Sequence, residues 1–113
     1  MMRKIVNILG TEYEIIIDAP DEMLPEDADG AMDHSVKRIV VAKFESDRVS
    51  VKDLDVYRIM VLRHEIIHAF LFESGLWNNS GNVTAWGQSE EITDWFAIQS
   101  PKIMKVFEEL EVL

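Results

Sequence analysis

Two histidines four residues apart, with a glutamate directly after the first, constrain this chain more than anything else in it: Arg63-His64-Glu65-Ile66-Ile67-His68-Ala69. Residues four apart in a helix share a face, so His64 and His68 can present ring nitrogens to one metal ion at about 2.0–2.1 Å. Glu65 lies about 100° round the helix from His64, near enough to reach a water beside that metal without ligating the ion. The spacing therefore predicts a helix and makes Glu65 the candidate general base. Leu54, Tyr57, Val61 and Leu71 extend the histidine face in both directions, which predicts an inward-facing apolar stripe. Two imidazoles in such a stripe need a polar partner, and one zinc ion per chain supplies it. Without a metal they would be core residues of a helical interaction domain.

Ser50-Val51-Lys52-Asp53 has the form of a capping box, with Asp53 where Glu is more usual. The helix is expected from Val51 or Asp53 to Ser74, with Gly75 as its left-handed cap. Apolar residues nearly all round it, Met60, Leu62, Ile66, Ile67, Phe70 and Phe72, predict a central helix buried on most sides. Upstream, residues 4–9 and 12–18 read as an antiparallel hairpin around Gly10-Thr11, with glycine suited to the first position of a type II′ turn. Residues 36–44 (VKRIVVAKF) are rich in β-branched side chains and join that hairpin in a small sheet. Between them, residues 19–32 mix Pro, Gly and acidic residues without a period and read as a surface loop. Its carboxylates lack the ordered spacing of a calcium loop.

Downstream, residues 76–87 read as a loop anchored by Trp77 and Trp86. A second helix is expected to start at the N-cap Ser89 and to stop at Ser100-Pro101. There a third would begin, packing as a closing helix through Ile103, Val106, Phe107 and Leu110. The expected fold is α+β in a single domain over 1–113. It comprises a three-stranded, or four-stranded, sheet on a central zinc-binding helix, a second metal-site helix and a C-terminal helix.

The chain has no cysteine, so a zinc site must be built from histidine and carboxylate, a combination that favours catalysis over a purely structural role. Its formal charge of −10 opposes contact with phosphate backbones, which argues against a nucleic-acid partner. No apolar run reaches membrane-spanning length and the N-terminus lacks the pattern of a signal peptide, so a cytoplasmic protein without a membrane partner is expected.

Catalytic zinc usually keeps three protein ligands and one open position. A third histidine six residues beyond His68 is excluded, because Leu71 and Ser74 stand where that pattern needs Gly and His. Glu73, His34 and the group Glu90, Glu91 and Asp94 are left. Glu73 points off the histidine face and is expected to be solvated. Glu90 and Asp94 are four apart on one helical face, so one could ligate the ion while the other steadies a ligand, whereas Glu91 points away.

HEIIH followed by Ser89-Glu90-Glu91-Ile92-Thr93-Asp94 resembles the gluzincin arrangement, in which H-E-x-x-H is joined by a downstream E-x-x-x-D on a second helix. The run Asp94-Trp95-Phe96-Ala97 also resembles a segment of ImmA/IrrE-type metallopeptidases, with Asp94 in place of their Asn. The order of elements is similar to short phage-borne zinc peptidase-like proteins. The resemblance covers about residues 33–101 and implies a minimal zincin-like fold. It implies His64, His68 and Glu90 as zinc ligands, Glu65 as the base and Asp94 as the partner of His64. The expected function is metal-assisted hydrolysis of a peptide or protein substrate, with His34 as first candidate for stabilising the oxyanion. The alternative is a regulatory or interaction protein that keeps zinc with little peptidase activity.

Overall fold

The computed structural model describes residues 1–45, 53–78, 85–111 and 113. Strands β1 (Met2–Ile8) and β2 (Thr11–Ala19) form an antiparallel hairpin from Met2↔Ile17 to Ile8↔Thr11. Leu9 and Gly10 alone make the turn, at φ 50° and 95°. Positive φ at both positions is a type I′ turn, whose twist matches the strands. The type II′ turn expected around Gly10-Thr11 does not form, because Thr11 already belongs to β2.

The four-stranded alternative is the one that forms. Residues expected as loop supply β3 (Gly30–Asp33), which pairs antiparallel with β4 (Arg38–Ala42) from Gly30↔Val41 to Asp33↔Arg38. Asp33 shapes the turn between them, its Oδ1 accepting from the Ser35 backbone N–H at 2.9 Å and from the Ser35 hydroxyl. β4 lies parallel to β2, so the order is β1-β2-β4-β3 in a mixed sheet with β1 and β3 at the edges.

Helix α1 (Leu54–Glu73) starts at Asp53, whose side chain accepts the Val56 N–H at 3.1 Å. The expected cap Ser50 lies outside the described residues. The helix ends at Ser74, where Gly75 turns left-handed at φ 86° and its N–H bonds the Phe72 carbonyl at 3.0 Å. Leu62, Ile66 and Ala69 pack on Ile8, Tyr13, Ile15 and Ile39, while the other sheet face, Ile16, Ala19 and Val40, is covered by Met23 and Leu24. Although the histidine face is turned inward as expected, with Leu71 and His68 buried and Leu54, Tyr57 and Val61 partly buried, the stripe that packs on the sheet is a different one. The histidines sit well over a quarter-turn away from it, on the side facing the second helix. One side stays open, with Val56, Ile59 and Phe70 exposed, while most of the rest of the helix is buried or partly buried, so it is covered on most sides as expected.

Glu73 is a tether rather than a solvated charge. Its Oε2 accepts from the Tyr13 hydroxyl at 3.2 Å and from Lys37 Nζ at 3.3 Å, tying the end of α1 to the sheet. The Thr11 hydroxyl and Lys37 hold its carboxyl below the ordinary glutamate range.

Helix α2 (Glu90–Glu109) runs unbroken through Pro101, so the expected second and third helices are one. The proline forfeits the N–H bond to Ala97, and the ring's crowding and lost bond cost about 3 kcal/mol. The long-side-chain residues that follow nevertheless keep the helix going. α2 packs on α1 through the fully buried Thr93 and Ala97, and beyond Ala97 no residue of the helix is buried among the described residues, so its end is not the packed closing element expected. Trp86, expected as an anchor, is exposed, whereas Trp77 folds back over α1 with its backbone N–H on the Leu71 carbonyl at 3.0 Å. No helix among the described residues is long and apolar enough to cross a membrane.

Candidate metal centre

The centre lies where α1 and the first turns of α2 face each other. Helical spacing puts His64 and His68 side by side with their Nε2 atoms 3.1 Å apart. Ser89 starts α2 by capping it, its hydroxyl accepting from the Ile92 N–H and its carbonyl from the Thr93 hydroxyl at 2.8 Å. That start aims Glu90, the first residue of α2, at the histidines. One Glu90 oxygen lies 2.7 Å from His64 Nε2 and the other 3.0 Å from His68 Nε2. One turn on, Asp94 Oδ1 lies 2.6 Å from His64 Nδ1. A carboxylate can only accept, so Nδ1 carries the proton, and a cation between Nε2 and Glu90 would let Nε2 offer it a lone pair.

These residues fit a zinc ion. Two donors each about 2.05 Å from a tetrahedral ion lie about 3.3 Å apart; the two Nε2 atoms are 3.1 Å apart, and one ligand atom from each of the three residues lies within 4.8 Å of the others. The cluster gathers three carboxylates, Glu65, Glu90 and Asp94, while no Lys or Arg lines the cavity beside it among the described residues. A dication would balance that charge. Burial lowers the His68 imidazole below its ordinary range against the pull of Glu90, so it stays neutral and free to ligate. The Asp94–His64 pair is the carboxylate–histidine support that fixes a ligand's ring and tautomer. His68 has no such support: its buried Nδ1 lacks a hydrogen-bond partner among the described residues, and the edge of Trp77 covers that ring at 5.5 Å.

Glu65 is buried, with an oxygen 3.9 Å from His64 Nε2. Burial pushes its carboxyl up to about 7; His64 opposes the rise and the Glu90 carboxylate adds to it. It lines a cavity of about 550 Å³ together with Asp29, Gly30, Tyr57, Val61 and Glu90. The other side of the site is open, since the side chains of Glu90 and Asp94 are more than half and half exposed. A second cavity of about 860 Å³ shares Ala28, Asp29 and Tyr57 with the first.

His34 is not brought to this cavity. The β3–β4 turn carries it to the far end of α1, where its ring stacks on Phe72 at 4.1 Å with Trp77 beside it. It is therefore no oxyanion donor in this arrangement. Tyr57 lines the cavity instead, its hydroxyl donating to the Asp29 carboxylate. Two turns before His64 it shares the histidine face, which is the one signal in the sequence that could have found it. Gly30 has no such signal. A Cβ there would stand 2.7 Å from Val61 Cγ1 and 3.2 Å from Glu65 Cγ, so only glycine lets β3 approach α1 beneath Glu65. Glu91 is exposed on the far side of α2 and takes no part.

No family model matches the chain, and neither a curated protein nor a solved structure is similar enough to match it. The likeness to zinc peptidases accordingly rests on the two motifs themselves.

Proposed function

We propose that the chain is a zinc-dependent peptidase. The observation that carries this reading is the position of Glu65, a buried carboxyl raised to about 7 at the wall of a cavity it shares with His64 and Glu90. A metal held only for structure has no use for such a group. His64, His68 and Glu90 would hold the ion. Once bound there, zinc would supply a Lewis acid that acidifies a water and polarises the scissile carbonyl.

The rest falls to the chain's own side chains. Glu65 takes the proton of the attacking water and passes it to the leaving amine, and a pKa near 7 suits both transfers at neutral pH. Asp94 holds the His64 ring through Nδ1–H. β3 is a sheet edge beside the cavity, so an extended peptide can pair with its free backbone groups.

A second reading, a zinc-binding interaction protein with little hydrolytic activity, is favoured by the exposed apolar length of α2. The Glu65→Gln variant separates the two. It is nearly isosteric and removes no ligand, so zinc should stay bound while cleavage of a peptide library, read as new N-termini by mass spectrometry, disappears. Undiminished cleavage by the variant refutes the mechanism, and silence from the wild type favours the interaction protein.

A further inference from the structure

The distal half of α2 carries an apolar stripe that nothing among the described residues covers. Ile103 is half-buried, and Phe96, Val106, Phe107 and Leu110 are exposed, Leu110 at 67%. At 100° per residue, Phe96, Gln99, Ile103, Val106 and Leu110 fall within about 80° of one another, in the alternating three- and four-residue steps of a helix–helix seam. Thr93 and Ala97, which face α1, lie about 100° or more from the middle of that stripe. Lys105 and Glu108 point away from the stripe, while Lys102 and Glu109, seven residues apart, lie along one flank of it.

This flank says what covers the stripe. In an antiparallel pair of α2 helices, Ile103 meets Val106 of the second copy and Gln99 meets its Leu110. Residues seven apart on the flank then face each other, so Lys102 falls opposite Glu109 of the second copy. By symmetry Glu109 falls opposite its Lys102. The other flank brings Phe107 against the small Ser100 of the second copy. A parallel pair would instead set like residues side by side and forfeit both ion pairs, and one buried Gln99 per helix helps fix the register.

We infer that the protein forms an antiparallel homodimer through residues 96–109 of α2 and its C-cap Leu110, registered by reciprocal Lys102–Glu109 ion pairs. Glu90 and Asp94 lie on a different side of the helix, so pairing leaves the metal centre accessible. The inference does not depend on peptidase activity.

Sedimentation velocity from micromolar to millimolar protein tests it. Wild type should pass reversibly from the 13.0 kDa chain to twice that mass as concentration rises. Lys102→Glu and Glu109→Lys, each setting like charges together twice, should each weaken dimerisation about tenfold. The Lys102→Glu/Glu109→Lys chain should recover it. Both positions are exposed surface, so zinc content and circular dichroism should not change in any of the three variants. A monomer at every concentration overturns the inference, and so does a dimer that ignores the single reversals or is not restored by the double one. A monomer whose single reversals weaken capture of a peptide or protein assigns the stripe to another occupant and also overturns it.

Discussion

Replacing Gly30 by alanine should loosen the contact on which the site is built. The new Cβ would sit 2.7 Å from Val61 Cγ1, 3.2 Å from Glu65 Cγ and 3.3 Å from the Val40 carbonyl oxygen. Carbon atoms prefer about 3.5–4.0 Å, so the nearest overlap is about 1 Å. Val61 is β-branched and held to one main rotamer in a helix, so it cannot swing aside cheaply. The Val40 oxygen belongs to β4, the strand that pairs with β3. Relief must come from β3 and α1 moving apart, which for overpacking of this kind costs about 1–3 kcal/mol. Thermal unfolding should fall by roughly 4–15 °C for a domain of this size. In a Val61→Ala background the closest contact is gone, and the penalty of Gly30→Ala should shrink by about 1 kcal/mol or more in a double-mutant cycle. Urea unfolding of the four proteins supplies the numbers. A Gly30→Ala cost under about 0.5 kcal/mol, or one that Val61→Ala leaves unchanged, would refute the packing of β3 beneath Glu65.

Glu90→Ala should weaken zinc binding by more than a hundredfold in competition with a chromogenic chelator, and Glu91→Ala by less than about threefold, because Glu91 is exposed on the far side of α2. Asp94→Ala, which leaves the ligands but frees the His64 ring, should cost about 10–100-fold in the same assay. Equal effects at 90 and 91 would mean that α2 is rotated. The chain has two tyrosines, both raised to about 12, Tyr13 chiefly by burial and Tyr57 chiefly by its bond to Asp29. A raised folded pKa contributes stability that is complete below the unfolded value of about 10 and is lost as pH climbs toward the folded value, so stability should decline between pH ~10 and ~12. Tyrosinate absorbance rising at pH ~10 in protein still folded by circular dichroism would contradict both environments.

How much of this was legible in the chain depends on the range of the forces involved. The i,i+4 spacing of His64 and His68, the same spacing of Glu90 and Asp94, and the Ser89 cap are local, and the two helices form around them as expected. The hairpin was equally local, although the turn shifted by one residue because Leu9 takes a positive φ. Four residues, Gly30–Asp33, are too few to show a period; they are a strand because β4 pairs with them. Pro101 read as a stop because it breaks one helical bond, yet the residues after it have no competing turn chemistry. Glu73 read as solvated because nothing near it in sequence reveals that Tyr13 and Lys37 come across from the sheet to meet it. His34 fails for the same reason, since a lone histidine in a turn carries no information about which end of α1 that turn will touch.

His64, His68 and Glu90 converge as a group that could hold one metal ion, with a Glu65 oxygen 3.9 Å from His64 Nε2. Zinc per chain, measured by elemental analysis after dialysis against metal-free buffer, tests this directly. Wild type and Glu65→Gln should each retain one zinc, and His64→Ala/His68→Ala should retain none while keeping its helical circular dichroism. Wild-type protein that takes up no zinc, or a double variant that still holds one per chain, would contradict the account.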